Sequence, residues 1–231
     1  MNLHRRDGRP LVIGHRGASA DAPDNSLAAI ELALAAGVDL VEFDVSPGLV
    51  VAHETGGDGP SLDEVLALVA ASGAGAHADL KAPGYERDVV AALDRHGLRS
   101  RALVSTAYAA TGRCVRGLAP ELPVAIGYPR DRLGVSRLPW PKSLVAPGAA
   151  ALRAAMPLRI PLLLSAARAN VLALHHGLCS RAAIDTAHRR GVPVLVWTVN
   201  DPADVRRFAA LGVDAVVSDD PKGALATLAE P

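Results

Sequence analysis

Two acidic side chains, Glu42 and Asp44, lie on one face of the segment Leu40–Val45, which reads Leu-Val-Glu-Phe-Asp-Val. In an extended strand successive side chains point to opposite faces, so the apolar side chains that alternate with them share the other face. One face is therefore suited to burial. Ionised carboxylates in a partly buried place are costly unless a cation or hydrogen bonds compensate them, and this pattern predicts a bound divalent metal ion.

A third carboxylate, Asp79, lies in a later segment with the same alternation, on one face with His77 and Lys81. Together with Glu42 and its neighbouring aspartate it offers only oxygen donors, which suit Mg²⁺ or Ca²⁺ better than Zn²⁺. The alternative is a metal-free ion network, in which Glu42 and Asp79 pair with Arg16 and Lys81.

Two histidines, His15 and His53, are candidates for general acid and base, because imidazole titrates near neutral pH. His15 lies between Gly14 and Gly17, whose small size allows a ligand to approach closely, and it precedes Arg16. Arginine binds phosphate in a bidentate manner, so this segment predicts a phosphate ester as the ligand.

An alternation of strands and helices must position these residues. The predicted main strands are Leu11–His15, Val38–Val45, Ala76–Lys81, Ala102–Ser105, Val124–Gly127, Val171–Leu174, Val194–Val199 and Ala215–Ser218, with Leu49–His53 folding back beside the second. The predicted helices are Leu27–Ala36, Ser61–Ala71, Glu86–His96, Thr111–Leu118, Ser180–Arg190 and Pro202–Leu211. Such alternation predicts parallel βα units, and eight strands predict an α/β fold, a (β/α)8 TIM barrel, as one domain over residues 1–231.

The barrel is favoured over an open doubly wound sheet because no glycine-rich phosphate loop follows the first strand. In a parallel barrel the active site lies at the carboxyl ends of the strands. The candidate residues of the first three main strands all lie near those ends, so the barrel would gather them at one mouth.

The composition excludes several classes of protein. Twenty-four basic and 24 acidic residues cancel, and no run of like charges predicts a nucleic-acid partner. The first apolar run is too short for a signal peptide, so the sequence predicts a cytoplasmic protein without a transmembrane segment. In the segment Tyr128–Ala167 the pattern does not delimit helices or strands, and part of it must be loop. Its apolar stretch Pro157–Ala167 is predicted to be buried or interfacial. The two cysteines, Cys114 and Cys179, are predicted to be buried thiols.

An ordered set of short motifs points to a known family. The motifs are His15-Arg16-Gly17, Pro23-Asp24-Asn25-Ser26, Glu42-Phe43-Asp44, Val50-Val51-Ala52-His53, Asp79-Leu80-Lys81, Trp197-Thr198-Val199-Asn200, and Gly212-Val213-Asp214 with Ser218-Asp219. In this order, over about residues 11 to 221, the chain resembles the glycerophosphodiester phosphodiesterases, which are phosphatidylinositol-phosphodiesterase-like TIM barrels. The resemblance implies a metal-dependent phosphoric diester hydrolase of lipid metabolism that releases glycerol phosphate and an alcohol.

The resemblance also implies a role for each candidate residue. His15 and His53 would be the catalytic acid and base, with water or a substrate hydroxyl as the attacking group. The metal ligands would be Glu42, Asp44 and Asp79, holding one Mg²⁺ or Ca²⁺. The substrate would be bound by Arg16 and Lys81 at the phosphate and by Trp197 at the alcohol.

Two departures from the family pattern bear on the substrate. Only seven residues separate His53 from Ser61, so the small inserted subdomain usual in bacterial members is absent or vestigial. Asp79 also stands where the family usually has glutamate, as in the related spider-venom-type phospholipases D. An open mouth could admit a lysophospholipid, held partly by Trp140, so a lysophospholipase D is the alternative enzyme. A non-catalytic phosphodiester-binding barrel is the alternative from another class.

Overall fold

Eight parallel strands close into a barrel in the computed structural model, which describes residues 1–5, 8–129 and 142–229, without the side chains of residues 142–147. The barrel strands are β1 (Leu11–Gly14), β2 (Leu40–Ser46), β4 (Gly75–Leu80), β5 (Ala102–Thr106), β6 (Val124–Tyr128), β7 (Val171–His175), β8 (Val194–Trp197) and β9 (Ala215–Ser218). Strand β1 pairs with both β2 and β9, which closes the sheet and excludes the open doubly wound alternative.

A short strand and a ring of helices complete the part of the chain that the structure describes. The strand β3 (Val50–Val51) pairs antiparallel with the end of β2, as predicted. The helices are α1 (Leu27–Ala36), α2 (Leu62–Ala71), α3 (Glu86–Arg95), α4 (Ala109–Leu118), α5 (Lys142–Ala167), α6 (Arg181–His188), α7 (Pro202–Leu211) and α8 (Pro221–Ala229). The (β/α)8 TIM barrel is therefore confirmed.

The alternation within β2 works as the sequence predicts. Val41, Phe43 and Val45 are fully buried between the barrel and the helices, while Glu42 and Asp44 point into the barrel. Burying a side chain such as Phe43 contributes about 2 kcal/mol. Inside the barrel a second buried cluster fills the lower layers, and Leu3 packs onto it from the amino-terminal segment. Because apolar side chains fill the lower barrel, space for a ligand remains only towards the carboxyl ends.

Two helices differ from the sequence-based expectation. The sequence pattern does not predict α8. It also does not predict where α5 begins and ends, because Pro147, Pro157 and Pro161 interrupt the usual helical pattern. Among the described helices, only Gly148–Ala167 of α5 is long and apolar enough to cross a membrane, judged by length and composition.

The cysteine prediction is half wrong. Cys179 is buried, whereas Cys114 is exposed. The reason is its place on α4, which buries the side that carries Thr111, Gly112 and Val115 and leaves Cys114 towards solvent.

Candidate active site

A cavity of about 630 Å³ opens at the carboxyl ends of the barrel strands. All eight candidate residues line it: His15, Arg16, Glu42, Asp44, His53, Asp79, Lys81 and Trp197. They come from the ends of β1, β2, β4 and β8 and from the loop after β3. Residues more than 180 positions apart in the chain thus meet at one mouth, because closure of the barrel brings β8 and β9 beside β1.

The three carboxylates of Glu42, Asp44 and Asp79 form a compact cluster, with one oxygen of each within 4.8 Å of the others. Strand register produces this cluster, because Asp44 on β2 lies directly opposite Asp79 on β4. Glu42 is almost completely buried, and no described cation lies within ion-pair distance of it. Its carboxylate accepts a hydrogen bond from the backbone N–H of Arg16 at 2.8 Å. Burial and the charge of Asp44 raise the pKa of Glu42 to about 7. A buried carboxylate without a cation, beside two others, fits a divalent metal ion.

Asp44 is the most heavily compensated of the three carboxylates. Its Oδ2 lies 2.9 Å from Nδ1 of His53 and 3.0 Å from Nε of Arg16, and its Oδ1 lies 2.5 Å from Nζ of Lys81. Asn25 donates to Oδ2 through Nδ2 at 3.1 Å and accepts the backbone N–H of Asp44. Burial alone would raise the pKa of Asp44, but the His53 hydrogen bond and the two cations hold that pKa well below its usual range.

The ion pairs differ from those of the metal-free alternative. Arg16 pairs with Asp44 and with Asp24, not with Glu42, and Lys81 bridges Asp44 and Asp79. The pairing of Lys81 with Asp79 is thus as expected, but the cations do not neutralise Glu42. The cluster is asymmetric: two carboxylates share two cations, and the third has only a backbone donor.

Asp79 is held by a hydrogen-bond chain that sequence reasoning missed. Ser105 on β5 donates through Oγ to Asp79 Oδ1 at 2.6 Å, and Nε2 of His77 lies 2.8 Å from the same Oγ. Because the single hydroxyl proton of Ser105 goes to the carboxylate, His77 must donate from Nε2. Burial lowers the pKa of His77 to about 4, so its imidazole is neutral. Ser105 thus orients Asp79 from the neighbouring strand.

His15 is anchored in the same manner as His53, by a carboxylate at Nδ1. The Nδ1 atom lies 2.6 Å from Oδ1 of Asp219, which also accepts hydrogen bonds from Ser19 and, at Oδ2, from Asn200. Burial lowers the pKa of His15, but the Asp219 hydrogen bond and the charge of Glu42 outweigh it, so that the pKa is raised. The same contacts lower the pKa of Asp219 to about 2 against the opposing effect of its burial.

In both histidines Nε2 is therefore the ring nitrogen that is available to a ligand. An ionised carboxylate accepts the Nδ1–H proton of each ring, which fixes the tautomer and leaves Nε2 as the atom that can exchange a proton. Since both rings line one cavity, one imidazole can take a proton while the other gives one.

The opposite wall of the cavity is apolar. Gly127, Ala173, Trp197 and Val217, from β6 to β9, line it, together with Pro129. Trp197 is supported by His175, whose ring meets the indole edge-on with centroids 5.2 Å apart. Burial, with the nearby His176, lowers the pKa of His175 to about 4, so this support is uncharged. Trp140, which was expected to help hold a lipid chain, lies outside the described residues.

The sequence contained signals for three of the missed residues. Asn25 stands within the Pro-Asp-Asn-Ser motif, and Asn200 and Asp219 stand within the carboxyl-terminal motifs, but short motifs alone did not show which contacts these side chains make. His77 and Ser105 stand within no motif quoted above. Their role follows from strand register, which places Ser105 opposite Asp79.

Comparison with known families gives one match over most of the chain. The model of the "Glycerophosphoryl diester phosphodiesterase family" matches residues 15–48 and 76–223. The unmatched interval contains His53 and the short connection to α2, where the inserted subdomain would lie. The structure nevertheless places His53 against Asp44.

Individual relatives agree with this match. A glycerophosphodiester phosphodiesterase of Caldanaerobacter subterraneus subsp. tengcongensis is 24% identical over 93% of this chain and 96% of its own length. Among solved structures, an Oleispira antarctica phosphodiesterase in complex with the product sn-glycerol-3-phosphate has a TM-score of 0.71 at 22% identity, covering 96% of this chain and 98% of the other. A glycerophosphodiester phosphodiesterase from Parabacteroides distasonis has a TM-score of 0.73 at 19% identity, covering 95% and 97%.

Proposed function

Because the chain belongs to the glycerophosphoryl diester phosphodiesterase family and is an enzyme of that class, we propose that it hydrolyses a glycerophosphodiester to glycerol phosphate and an alcohol with two histidines as acid and base. The observation that carries the proposal is the pair His15 and His53, each fixed through Nδ1 by a carboxylate and each lining the cavity that holds the acidic cluster. The Oleispira relative, with a glycerol phosphate product bound, supports this choice of substrate class.

In this proposal each residue has a defined task. Arg16 and Lys81 bind the phosphate oxygens, and Glu42, Asp44 and Asp79 would hold one divalent cation, Mg²⁺ or Ca²⁺. When bound, that cation would offset the negative charge of the phosphate. Hydrogen-bond donors and cations fixed before the substrate arrives lower the barrier because they need not reorganise during the reaction.

The histidines complete the reaction by moving protons. One imidazole takes the proton of the attacking hydroxyl as its oxygen bonds to phosphorus, and the other protonates the leaving oxygen as its bond to phosphorus breaks. Water as attacker gives glycerol phosphate directly, whereas a substrate hydroxyl gives a cyclic phosphate first. Phosphorus NMR of the early products distinguishes these two routes.

The decisive experiment measures turnover of glycerophosphocholine by protein stripped with EDTA and then given Mg²⁺ or Ca²⁺. We expect divalent-dependent release of choline, and a loss of at least about a thousandfold in kcat for His15→Ala and for His53→Ala. His96→Ala, a substitution on the surface at the end of α3, is the matched control and should keep full activity. Circular dichroism should show that all three variants fold.

Retained turnover in either active-site variant would contradict the assignment. Absence of divalent-dependent turnover across a panel of phosphodiesters would instead favour the non-catalytic binding barrel. A lysophospholipase D reaction is favoured by one observation, the apolar wall beside the acidic cluster, and lysophosphatidylcholine in the same assay tests it. Faster turnover of lysophosphatidylcholine than of glycerophosphocholine would assign the enzyme to that activity.

A further inference from the structure

Helix α5 is long and apolar, yet most of it is not buried. Only 17% of the residues in its most apolar window, within Gly148–Ala167, are buried. A helix that is apolar on most of its circumference is normally covered by protein or by lipid. One edge of α5, formed by Met156, Ile160 and Leu164, packs into the core between barrel and helices. Ala167 continues this buried edge, and Leu152 and Leu163 pack partly against the same core. Only the side that carries Leu158 and Leu162 has no covering element among the described residues.

The outward face carries the two most exposed large apolar side chains of the described residues. Leu158 is 80% exposed and Leu162 is 72% exposed, and their spacing of four places them on the same side of the helix. Alanine residues continue this face towards both helix ends, at positions 150, 151, 154 and 166. The next most exposed large apolar side chain, Leu32 on α1, is 44% exposed and stands alone.

Two arginines of α5 contact the carboxyl ends of β6 and β7, beside the active-site cavity. Arg153 donates a hydrogen bond through Nη1 to the carbonyl of Gly177, just beyond the carboxyl end of β7. The guanidinium of Arg159 lies over the ring of Tyr128, the last residue of β6, at 5.4 Å from the centroid. These contacts place α5 next to the mouth through which a substrate would enter.

The part of the chain that includes α5 carries a net positive charge. Residues 132–184 contain seven Lys or Arg and no Asp or Glu, although the whole chain has 24 of each sign. The remaining residues consequently carry an excess of acidic side chains. Of the seven, Lys142, Arg153 and Arg159 belong to α5, and Arg168 follows it directly. A cationic region with an apolar stripe is complementary to a surface that is anionic outside and apolar beneath.

We propose that α5 is the surface by which this protein lies on an anionic phospholipid bilayer. Leu158 and Leu162 enter the boundary between headgroups and acyl chains, and the neighbouring arginines contact lipid phosphates. A bilayer-spanning arrangement would remove Met156, Ile160 and Leu164 from the core, whereas a helix lying in the interface uses only its free face. A second copy related by a twofold axis would bring two cationic surfaces together, which opposes a dimer through α5.

Vesicle cosedimentation tests the proposal with the full chain in EDTA, so that turnover does not alter the lipids. We expect the protein to pellet with phosphatidylcholine vesicles that contain phosphatidylglycerol, much less with phosphatidylcholine alone, and less at high salt. The double variant Leu158→Glu, Leu162→Glu should lower the partition coefficient at least about tenfold, because it places two anions where two apolar groups were. Arg168→Gln should lower it about fivefold.

Two matched controls separate the α5 surface from general effects of charge. Leu32→Glu on α1 and Arg87→Gln on α3 change exposed residues of the same types elsewhere, and both should bind vesicles as the parent protein does. Thermal unfolding should show that every variant remains folded.

Three results would overturn the proposal: no enrichment of the parent protein on anionic vesicles, an equal loss of binding in the Leu32→Glu variant, or a dimer in light scattering that the Leu158, Leu162 substitutions dissociate. The dimer would show that a second copy covers this face. Because the assay requires neither metal nor turnover, failure here is distinguishable from failure of the proposed phosphodiesterase activity.

Discussion

The two walls of the cavity are built on opposite principles. On the polar wall, formed by β1, β2 and β4, every ionisable side chain has a hydrogen-bond or ion-pair partner. Asp44 contacts three of them: Arg16, Lys81 and His53. On the wall from β6 to β9 the lining is apolar, with Trp197 as its largest side chain. The first wall fixes atoms in place for chemistry on a phosphate. The second offers area and shape, which suits a part of the substrate that does not react.

The largest expected effect on the polar wall comes from Asp44→Asn. This substitution leaves Arg16 and Lys81 without their shared buried carboxylate and releases His53 from its anchor. We expect kcat to fall by at least about a thousandfold and the free energy of unfolding to fall by about 3 kcal/mol. Steady-state kinetics and chemical denaturation in EDTA measure the two effects.

Glu42→Gln is the matched control within the same wall, and its effect on stability should have the opposite sign. The pKa of Glu42 is raised in the folded protein, from 4.5 to about 7, so ionisation of this group opposes folding as pH rises through that window. The metal-free variant should therefore be more stable than the parent at neutral pH, on the order of 2 kcal/mol, and the gain should disappear below about pH 4.5. Destabilisation at neutral pH would show that Glu42 is compensated in a manner the described contacts do not include.

The polar wall shows how far sequence reasoning reaches. Alternation in Leu40–Val45 was sufficient to predict which side chains enter the barrel, because one residue of slippage would have buried the carboxylates on the apolar face. The same reasoning could not reveal that Ser105 touches Asp79, since β-strand register depends on pairing between distant segments. It also failed for α5, where three prolines masked a helix that tertiary packing maintains. The proposed roles of the site residues remain predictions.

Removal of the charge that anchors His15 is the next test. Asp219→Asn should lower the pKa of His15, because Asp219 contributes the main effect that raises it. The limb of the pH–rate profile that reports His15 should then move to lower pH, and kcat should fall on the order of a hundredfold. A shifted basic limb identifies His15 as the acid, and a shifted acidic limb identifies it as the base.

The His15–Asp219 pair also makes stability depend on pH. A histidine with a raised folded pKa stabilises the fold below its unfolded pKa of 6.5, and that contribution is lost as pH rises through the folded value. The parent protein, but not the Asp219→Asn variant, should therefore lose stability across this interval. Identical pH profiles of activity and of unfolding for the two proteins would contradict the pairing.

A smaller effect is expected from Ser105→Ala, which removes the hydroxyl that orients Asp79. We expect a roughly tenfold loss of kcat and weaker binding of Mg²⁺ or Ca²⁺ in calorimetry, because second-layer partners of ligands typically contribute this much. Ser105→Thr keeps the hydroxyl and should restore most of both. Weak metal binding in both variants would indicate a packing effect rather than orientation of the carboxylate.

The apolar wall should respond in a different kinetic parameter. Trp197→Ala removes contact area from a group that does not touch the reacting phosphate in this proposal, so the Michaelis constant should rise about fivefold while kcat changes little. Trp197→Phe retains a ring against His175 and should lie between the two. If the substrate has an acyl chain, the increase should be larger for lysophosphatidylcholine than for glycerophosphocholine, because the longer alcohol buries more area on this wall. A fall in kcat with an unchanged Michaelis constant would place Trp197 with the polar wall instead, since only an interaction made in the transition state gives that pattern.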